Sequence, residues 1–479
     1  MTVTVRQRRL VRPTRIPATV AVTAGNIALL LIVTANGAIA ARSLGAGLRG
    51  EFVAAQTWAT TAGVVLTFGV TQAIVVDAAP ARLLRAPLFA HVALSLVLTV
   101  GLFALLAGTG LQPWLTAPGV FGAACLAASA VATSHAAGMA QRRGRMAGSF
   151  QLVRIVPALA GAVCTAALVA AGERDPDRWL VTLGVVSLVA ALGQLAGSGF
   201  GPARGAGARG GPGGLLPPRG FATTARRAYV SVIGAQVIYR LDVLLVAVCL
   251  ASHQVAFYGV AAAVAGACAT VSQSTGMVIF SRLRGAALGD ARRIILRGTV
   301  LSLAVAAAIA LPVGLLAAPA IRIIYGAEFL PAVGATRLLL LASIPLAADY
   351  LLIHALLAMN APGAVTRVQA PVAVLTIVLL VAALRGDGLG AVAAVSVVSY
   401  TASAFLLLCA VLRKGSARAV PPASAVPSVA EPAERTFPEL GIPQQRVRRP
   451  GPGPEAGDGA GVGSEAGLSR TTQSPKETK

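Results

Sequence analysis

The chain has 479 residues, 56% of them hydrophobic and only 12% charged, with a mean hydropathy of +0.77, which excludes an ordinary water-soluble domain. A formal net charge of +23 would suggest a nucleic-acid partner in a soluble protein. Here the charges sit in short loops and tails between uncharged runs, so their distribution reads as membrane topology and no nucleic acid is expected.

In chain order, residues 1–16 carry Arg6, Arg8, Arg9, Arg12 and Arg15 ahead of an apolar run that ends in Ala38-Ile39-Ala40. That run is too long for the hydrophobic region of a signal peptide, so it is read as a retained first span. A helix needs roughly 20 apolar residues to cross about 30 Å of hydrocarbon. Turn residues and charges then place about twelve spans near 17–41, 52–76, 86–109, 117–140, 150–172, 179–199, 228–251, 256–280, 298–321, 334–358, 365–385 and 388–412. The long uncharged run from 86 to 141 divides at Thr109-Gly110-Leu111-Gln112-Pro113, where glycine and proline serve a turn and would weaken a helix.

Arginine and lysine concentrate in loops that stay cytoplasmic. With the N-terminus inside, the inner loops hold Arg82 and Arg85, then Arg142, Arg143, Arg145 and Arg154, then five arginines between 204 and 227, five between 282 and 297, and Arg367. The outer loops are sparse, with Arg42 and Arg49, Arg174 and Arg178 among three acids, Arg322 and Arg337, and Arg385. Both termini are therefore expected in the cytoplasm.

Residues 200–227 are rich in glycine, proline and arginine and are expected to form a flexible cytoplasmic linker. It separates an N-lobe, 17–199, from a C-lobe, 228–412, with six spans each. A faint repeat supports the division, since Leu44-Gly45 through Phe52-Val53-Ala54-Ala55 can be laid on Leu250-Ala251 through Tyr258-Gly259-Val260-Ala261. The expected fold is an all-α integral membrane protein, two six-helix bundles related by a pseudo-two-fold axis along the membrane normal. Residues 413–479, mixed in charge and poor in large apolar groups, are expected to be a disordered cytoplasmic tail, open at most to a partner protein.

Ionisable side chains inside a bilayer are costly and are functional candidates by default. Arg240, Asp242 and Asp349 stand out. Positions i and i+2 lie about 200° apart around a helix, so Arg240 and Asp242 cannot both face one cleft. Two readings stay open: Arg240 contacts an anionic headgroup while Asp242 faces a neighbouring helix or a coupling cation, or both are neutralised by packing partners. Asp349, with Tyr350 and His354 beside it, suits a proton or sodium site, or a buried acid hydrogen-bonded between helices. Asn26, Asn36, Gln56, Gln72, Gln194, Gln236 and Gln273 can line a cleft for sugars or join helices, and for any one of them joining helices is the commoner role.

His91, His135 and His253 show no spacing that would build a metal site. Cys125, Cys164, Cys249, Cys268 and Cys409 have no CxxC or metal-like spacing and read as small core residues. No motif calls for a cofactor, and no nucleophile elbow, phosphate loop or zinc-protease pattern gives enzymatic chemistry a seat.

Three stretches carry a family resemblance: ARSLGAGLRGEFVAAQTWATTAGVVLTFGVTQAIVV, YRLDVLLVAVCLASHQVAFYGVAAAV and IIYGAEFLPAVGATRLLLLAS. In order and spacing they resemble the first-to-second, seventh-to-eighth and ninth-to-tenth span passages of the Wzx-type polysaccharide and oligosaccharide flippases of the MOP exporter superfamily, over nearly all of residues 20–412. The resemblance implies two lobes rocking around a cationic cleft that accepts a polyprenyl-pyrophosphate-linked glycan while the lipid tail stays in the bilayer. It also implies that Arg240, Arg42 and Arg49 contact the headgroup. Alternatives from the residues are a drug or cation antiporter of the related MATE branch, a membrane glycan polymerase, and a non-transporting scaffold joined to glycan-assembly proteins through the tail.

Overall fold

The computed structural model describes residues 18–76, 81–110, 115–143, 148–198, 220–283, 288–359, 361–386 and 388–417. Among them there are helices and turns and no strands. The helices are α1 (Ala18–Val65), α2 (Val70–Val76), α3 (Ala81–Gly108), α4 (Ala117–Arg142), α5 (Ser149–Ala170), α6 (Pro176–Gly197), α7 (Phe221–Cys249), α8 (Ser252–Leu283), α9 (Leu288–Leu315), α10 (Ala317–Ile324), α11 (Ala332–Ala358), α12 (Pro362–Leu384) and α13 (Gly388–Ala417).

Nine helices are long and apolar enough to cross a membrane among the described residues. The first of these, α1, is two spans in one: its 48 residues rise about 72 Å at about 1.5 Å each, and Gly45 interrupts the helical backbone with φ 70° and ψ 175°. Only glycine adopts such a backbone without steric cost, so the hinge between the first two spans falls at this residue. The second span breaks again after Val65 and resumes as α2. Counting both arms of α1 and the 29- and 32-residue helices α7 and α8, the described residues are consistent with about twelve crossings.

The outer faces are inverted relative to a soluble protein. Leu31, Val97, Val163, Val189, Val300, Val374 and Phe405 are all more than 60% exposed, on seven helices around the rim. Apolar residues on every outer face need lipid as their solvent. The chain is a multi-pass membrane protein.

Each half is built around one central helix. In the first, α4 carries small residues on nearly every face and is covered by α1, α3, α5 and α6. A Cβ on Gly122 would meet the Leu180 carbonyl carbon at 2.4 Å, and one on Gly184 the Gly122 oxygen at 2.2 Å, so α4 and α6 cross with backbones in contact. In the second half α11 is enclosed by α8, α9 and α13. Most of its apolar stretch is buried, as is that of α4.

The halves meet where α1 packs on α8. These are the segments of the faint repeat, which are offset by 206 positions (250 less 44). Val53 packs against Gly259, its own counterpart; Gly50 lies against Ser252, and their counterparts Ala256 and Ala46 belong to one buried cluster. The seam thus carries the local signature of a two-fold axis.

Two sequence boundaries shift. Helix α7 begins at Phe221, inside the stretch read as linker, and Phe221 and Ala225 pack into the first half with Ile74, Leu84 and Leu88, while Val243, Val246 and Ala247 pack into the second. One helix therefore belongs to both cores. Helix α13 runs to Ala417, past the expected end of the last span; residues 200–219 and 418–479, assigned to linker and tail, lie outside the described residues.

Candidate functional site

The intramembrane carboxylates of the second half face neighbouring helices. Asp242 on α7 is buried, and its Oδ2 accepts the hydroxyls of Tyr258 on α8 at 2.7 Å and Ser396 on α13 at 3.2 Å. Its Oδ1 accepts the Val243 amide at 2.8 Å. Asp349 on α11 is fully buried, with Oδ2 accepting from Tyr239 of α7 and Oδ1 from Ser403 of α13, each at 2.5 Å. Tyr239 in turn packs against Tyr350 and Tyr400 with ring centroids 5.4 and 5.9 Å apart. Four helices are tied by two carboxyl groups, each satisfied by hydroxyl donors and neither paired with an arginine among the described residues.

Arg240, two residues before Asp242, is exposed and makes no hydrogen bond or direct ion pair among the described residues. His354 Nδ1–H donates 2.7 Å to the Tyr350 carbonyl one turn earlier in its own helix.

At the Gly45 end of the bundle the remaining arginines are engaged. Arg42 Nε donates 2.9 Å to the Ile324 carbonyl, and its Nη2 donates to Ile323, so it caps the C-terminal turn of α10. Across the same seam the Glu328 carboxylate accepts the Ala46 amide at 3.0 Å, the first donor after the break at Gly45. Arg49 is half-buried, with its guanidinium 5.2 Å above the Phe52 ring. A Cβ on Gly50 would lie 1.7 Å from the Ser252 carbonyl oxygen, so backbone meets backbone. Ala38, Ala41, Phe257, Tyr325 and Phe329 close the space beneath. This end is shut.

Of the polar residues, Asn36 has its Oδ1 buried without a partner among the described residues, as do Trp58 Nε1 and Thr61 Oγ1 on the second arm of α1. Gln56 is half-buried and Gln72 is exposed on α2. Asn26 accepts from Arg154 Nη1 at 2.6 Å, which joins α1 to α5 near the opposite end. The side chains of Gln236 and Gln273 lie outside the described residues.

The fold brings two of the histidines together. His91 on α3 and His135 on α4 are 44 positions apart in sequence, yet His135 Nε2 lies 3.1 Å from His91 Nδ1. No sequence spacing signals that pair; the only hint was an ionisable ring inside each of two otherwise uncharged spans. They do not make a metal site, since among the described residues no cluster of three or more metal-ligating side chains forms. Tyr239, Tyr258, Ser396 and Ser403 were likewise missed, because hydroxyls at helical spacing are common in any apolar span.

No protein-family profile matches the sequence, and no curated protein matches it significantly. Solved structures do. The fold superposes on a lipid II flippase, MurJ, in an inward closed conformation with a TM-score of 0.64 at 11% identity, covering 82% of this chain and 87% of that one. An inward-facing multidrug resistance MATE family transporter of the MOP superfamily gives 0.60 at 11% identity, over 83% and 98% of the two chains. An outward-facing conformation of such a transporter gives 0.53 at 12% identity, over 84% and 96%. At these identities the likeness is one of fold.

Proposed function

We propose that the protein is a transporter that flips a polyprenyl-pyrophosphate-linked oligosaccharide, a precursor of cell-surface polysaccharide, across the cytoplasmic membrane by alternating access. Both termini lie in the cytoplasm in this reading, which makes the Gly45 end the outer one and the shut form the one that loads from inside. The observation that carries it is the seam at that end. It is held by backbone hydrogen bonds from Arg42 and to Glu328 and by bare glycine contact at Gly50, with no inter-half ion pair among the described residues. Such contacts separate without leaving a buried charge, as a rocking mechanism requires.

The lipid II flippase likeness supports a lipid-linked cargo over a free one. The exposed, unpaired Arg240 is the first choice for the pyrophosphate, because guanidinium groups match phosphate oxygens in pairs. Arg42 and Arg49 belong to the later half of the cycle: Arg42 is occupied by the Ile323 and Ile324 carbonyls until the outer end opens. The unpartnered Asn36 Oδ1 and Trp58 Nε1 offer an acceptor and a donor to sugar hydroxyls.

A cation-coupled exporter of the MATE kind is the second reading, favoured by the buried Asp242 and Asp349. Against it, the first span, before Gly45, has no acidic residue. Deleting the gene decides between them. The proposal expects lipid-linked oligosaccharide to accumulate on the cytoplasmic face, whereas normal surface glycan without accumulation would reject it. Loss of flipping on removal of the tail alone would instead favour a scaffold that docks glycan-assembly proteins.

A further inference from the structure

The break between α1 and α2 leaves one carbonyl without its helical partner. Val70 N donates to Thr67 O at 2.8 Å, not to Leu66 O, and Phe68 and Gly69 hold the turn at φ 47° and 72°. A bulky residue at positive φ is a true outlier. The Leu66 carbonyl so released accepts His91 Nε2–H at 2.9 Å. His91 Nδ1 meets His135 Nε2 at 3.1 Å, and His135 Nδ1 meets Thr71 Oγ1 of α2 at 3.3 Å.

This chain fixes its own tautomers. A carbonyl only accepts, so His91 carries its proton on Nε2; its Nδ1 then accepts from His135 Nε2–H, and His135 Nδ1 accepts the Thr71 hydroxyl. Two protons occupy four ring nitrogens. A third fits with one change: Thr71 turns its hydroxyl hydrogen away, His135 Nδ1–H donates to Oγ1, and the rings share the proton between Nδ1 and Nε2. A fourth does not fit, because two N–H groups would then point at each other across 3.1 Å.

We propose that His91 and His135 form a one-proton binding site in the first half of the protein, and that its proton is the ion exchanged for the glycan. His135 is fully buried, and His91 is half-buried beside the exposed ring of Phe68, which stacks on it at 5.8 Å and touches Tyr229 of α7 edge-on at 5.5 Å. The site is therefore dry at one ring and reachable at the other. No carboxylate faces it: α2, α3, α4 and α5 have none, the Glu51 of α1 lies near Asp177 at the far end, the Asp177 of α6 is bonded to Thr116 there, and the Asp242 of α7 is bonded to Tyr258. The other ionisable groups on these elements include Tyr229, the exposed Arg85 and Arg226, Arg142 two turns along α4, and Arg154, which is bonded to Asn26; Arg178 of α6 pairs with Glu173, and Tyr239 of α7 is bonded to Asp349.

A proton taken up here brings charge with no counter-ion, and it favours whichever conformer brings water to the pair. The device that moves is at hand. A Cβ on Gly69 would lie 2.1 Å from the Ala225 carbonyl oxygen, so the strained turn bears directly on α7, the helix shared by both cores.

Solution of the question takes two arms, the second of which rests on the flipping reading. In the first, the full chain with [15N]histidine is titrated in lipid nanodiscs from about pH 8 to about pH 4, the range over which histidines charge. The proposal expects two of the four histidines to gain one proton as a single coupled unit, and His135→Gln to abolish that unit. His91 and His135 titrating independently, or not at all, would overturn it.

In the second arm, flipping of a polyprenyl-pyrophosphate oligosaccharide in vesicles is compared with and without an imposed proton gradient. The ratio should exceed one for the wild type and fall to one for His135→Gln and for His91→Gln, each checked for folding by its nanodisc spectrum. A ratio that stays at the wild-type value in both variants refutes the coupling. Wild-type protein that moves no glycan at all would count against the proposed function, while the first arm still decides the proton site.

Discussion

Asp349 and Asp242 repay attention for what surrounds them. Each carboxyl group is met by hydroxyls from other helices, so removing it strands donors in a dry interior. Asp349→Ala leaves the Tyr239 and Ser403 hydroxyls unpaired, and an unsatisfied buried polar group costs about 1–3 kcal/mol. Thermal unfolding in detergent should show Asp349→Ala clearly less stable than the wild type, with Asp349→Asn between them because an amide oxygen still accepts. Asn and Ala variants of equal stability would mean that the hydroxyls find other partners. Arg240→Ala should insert normally and lower transport about tenfold, equivalent to about 1.4 kcal/mol. Unchanged transport would return Arg240 to a structural or interfacial role.

How much of this was legible at the residue level depends on geometry that a sequence encodes poorly. That Arg240 is exposed while Asp242 is buried agrees with their spacing of two along a helix. The meeting of His91 with His135 did not, because it depends on where α3 and α4 cross. Glu328 reaching the Ala46 amide, 282 positions away, was equally hidden.

Among the elements, the spans were legible because apolar run length has a direct physical meaning in a bilayer. Breaks inside them were harder to see. Gly45 was expected to lie in a loop and turns out to be a single-residue hinge between two helical arms. The break at Thr67–Gly69 went unnoticed within an apolar stretch, since only its backbone angles betray it. The start of α7 was set late because Arg226 and Arg227 look like loop residues, although Phe221 and Ala225 anchor that turn in the first core. Gly50→Val should push α8 away from α1, since a side chain there meets the backbone of Ser252. Spin labels across the seam should report a longer distance at the Gly45 end in that variant than in the wild type; an unchanged distance would show that the contact yields without opening.

Across residues 18–417, two six-helix halves share α7 and meet along α1 and α8, with one shut end. On the positive-inside reading, a cysteine at Arg143 should be labelled only from the cytoplasm and one at Arg174 only from outside, in a background lacking the native cysteines. The opposite pattern would invert the protein and place the shut end inside.

Flipping itself is tested most directly in reconstituted vesicles. Purified protein is incorporated with a fluorescent polyprenyl-pyrophosphate oligosaccharide, and the fraction reaching an impermeant quencher on the far side is followed over time. Movement of the oligosaccharide well above protein-free vesicles, and slowed by Arg240→Ala, is the result expected of a flippase. Movement no faster than in protein-free vesicles, under any imposed ion gradient, would contradict it.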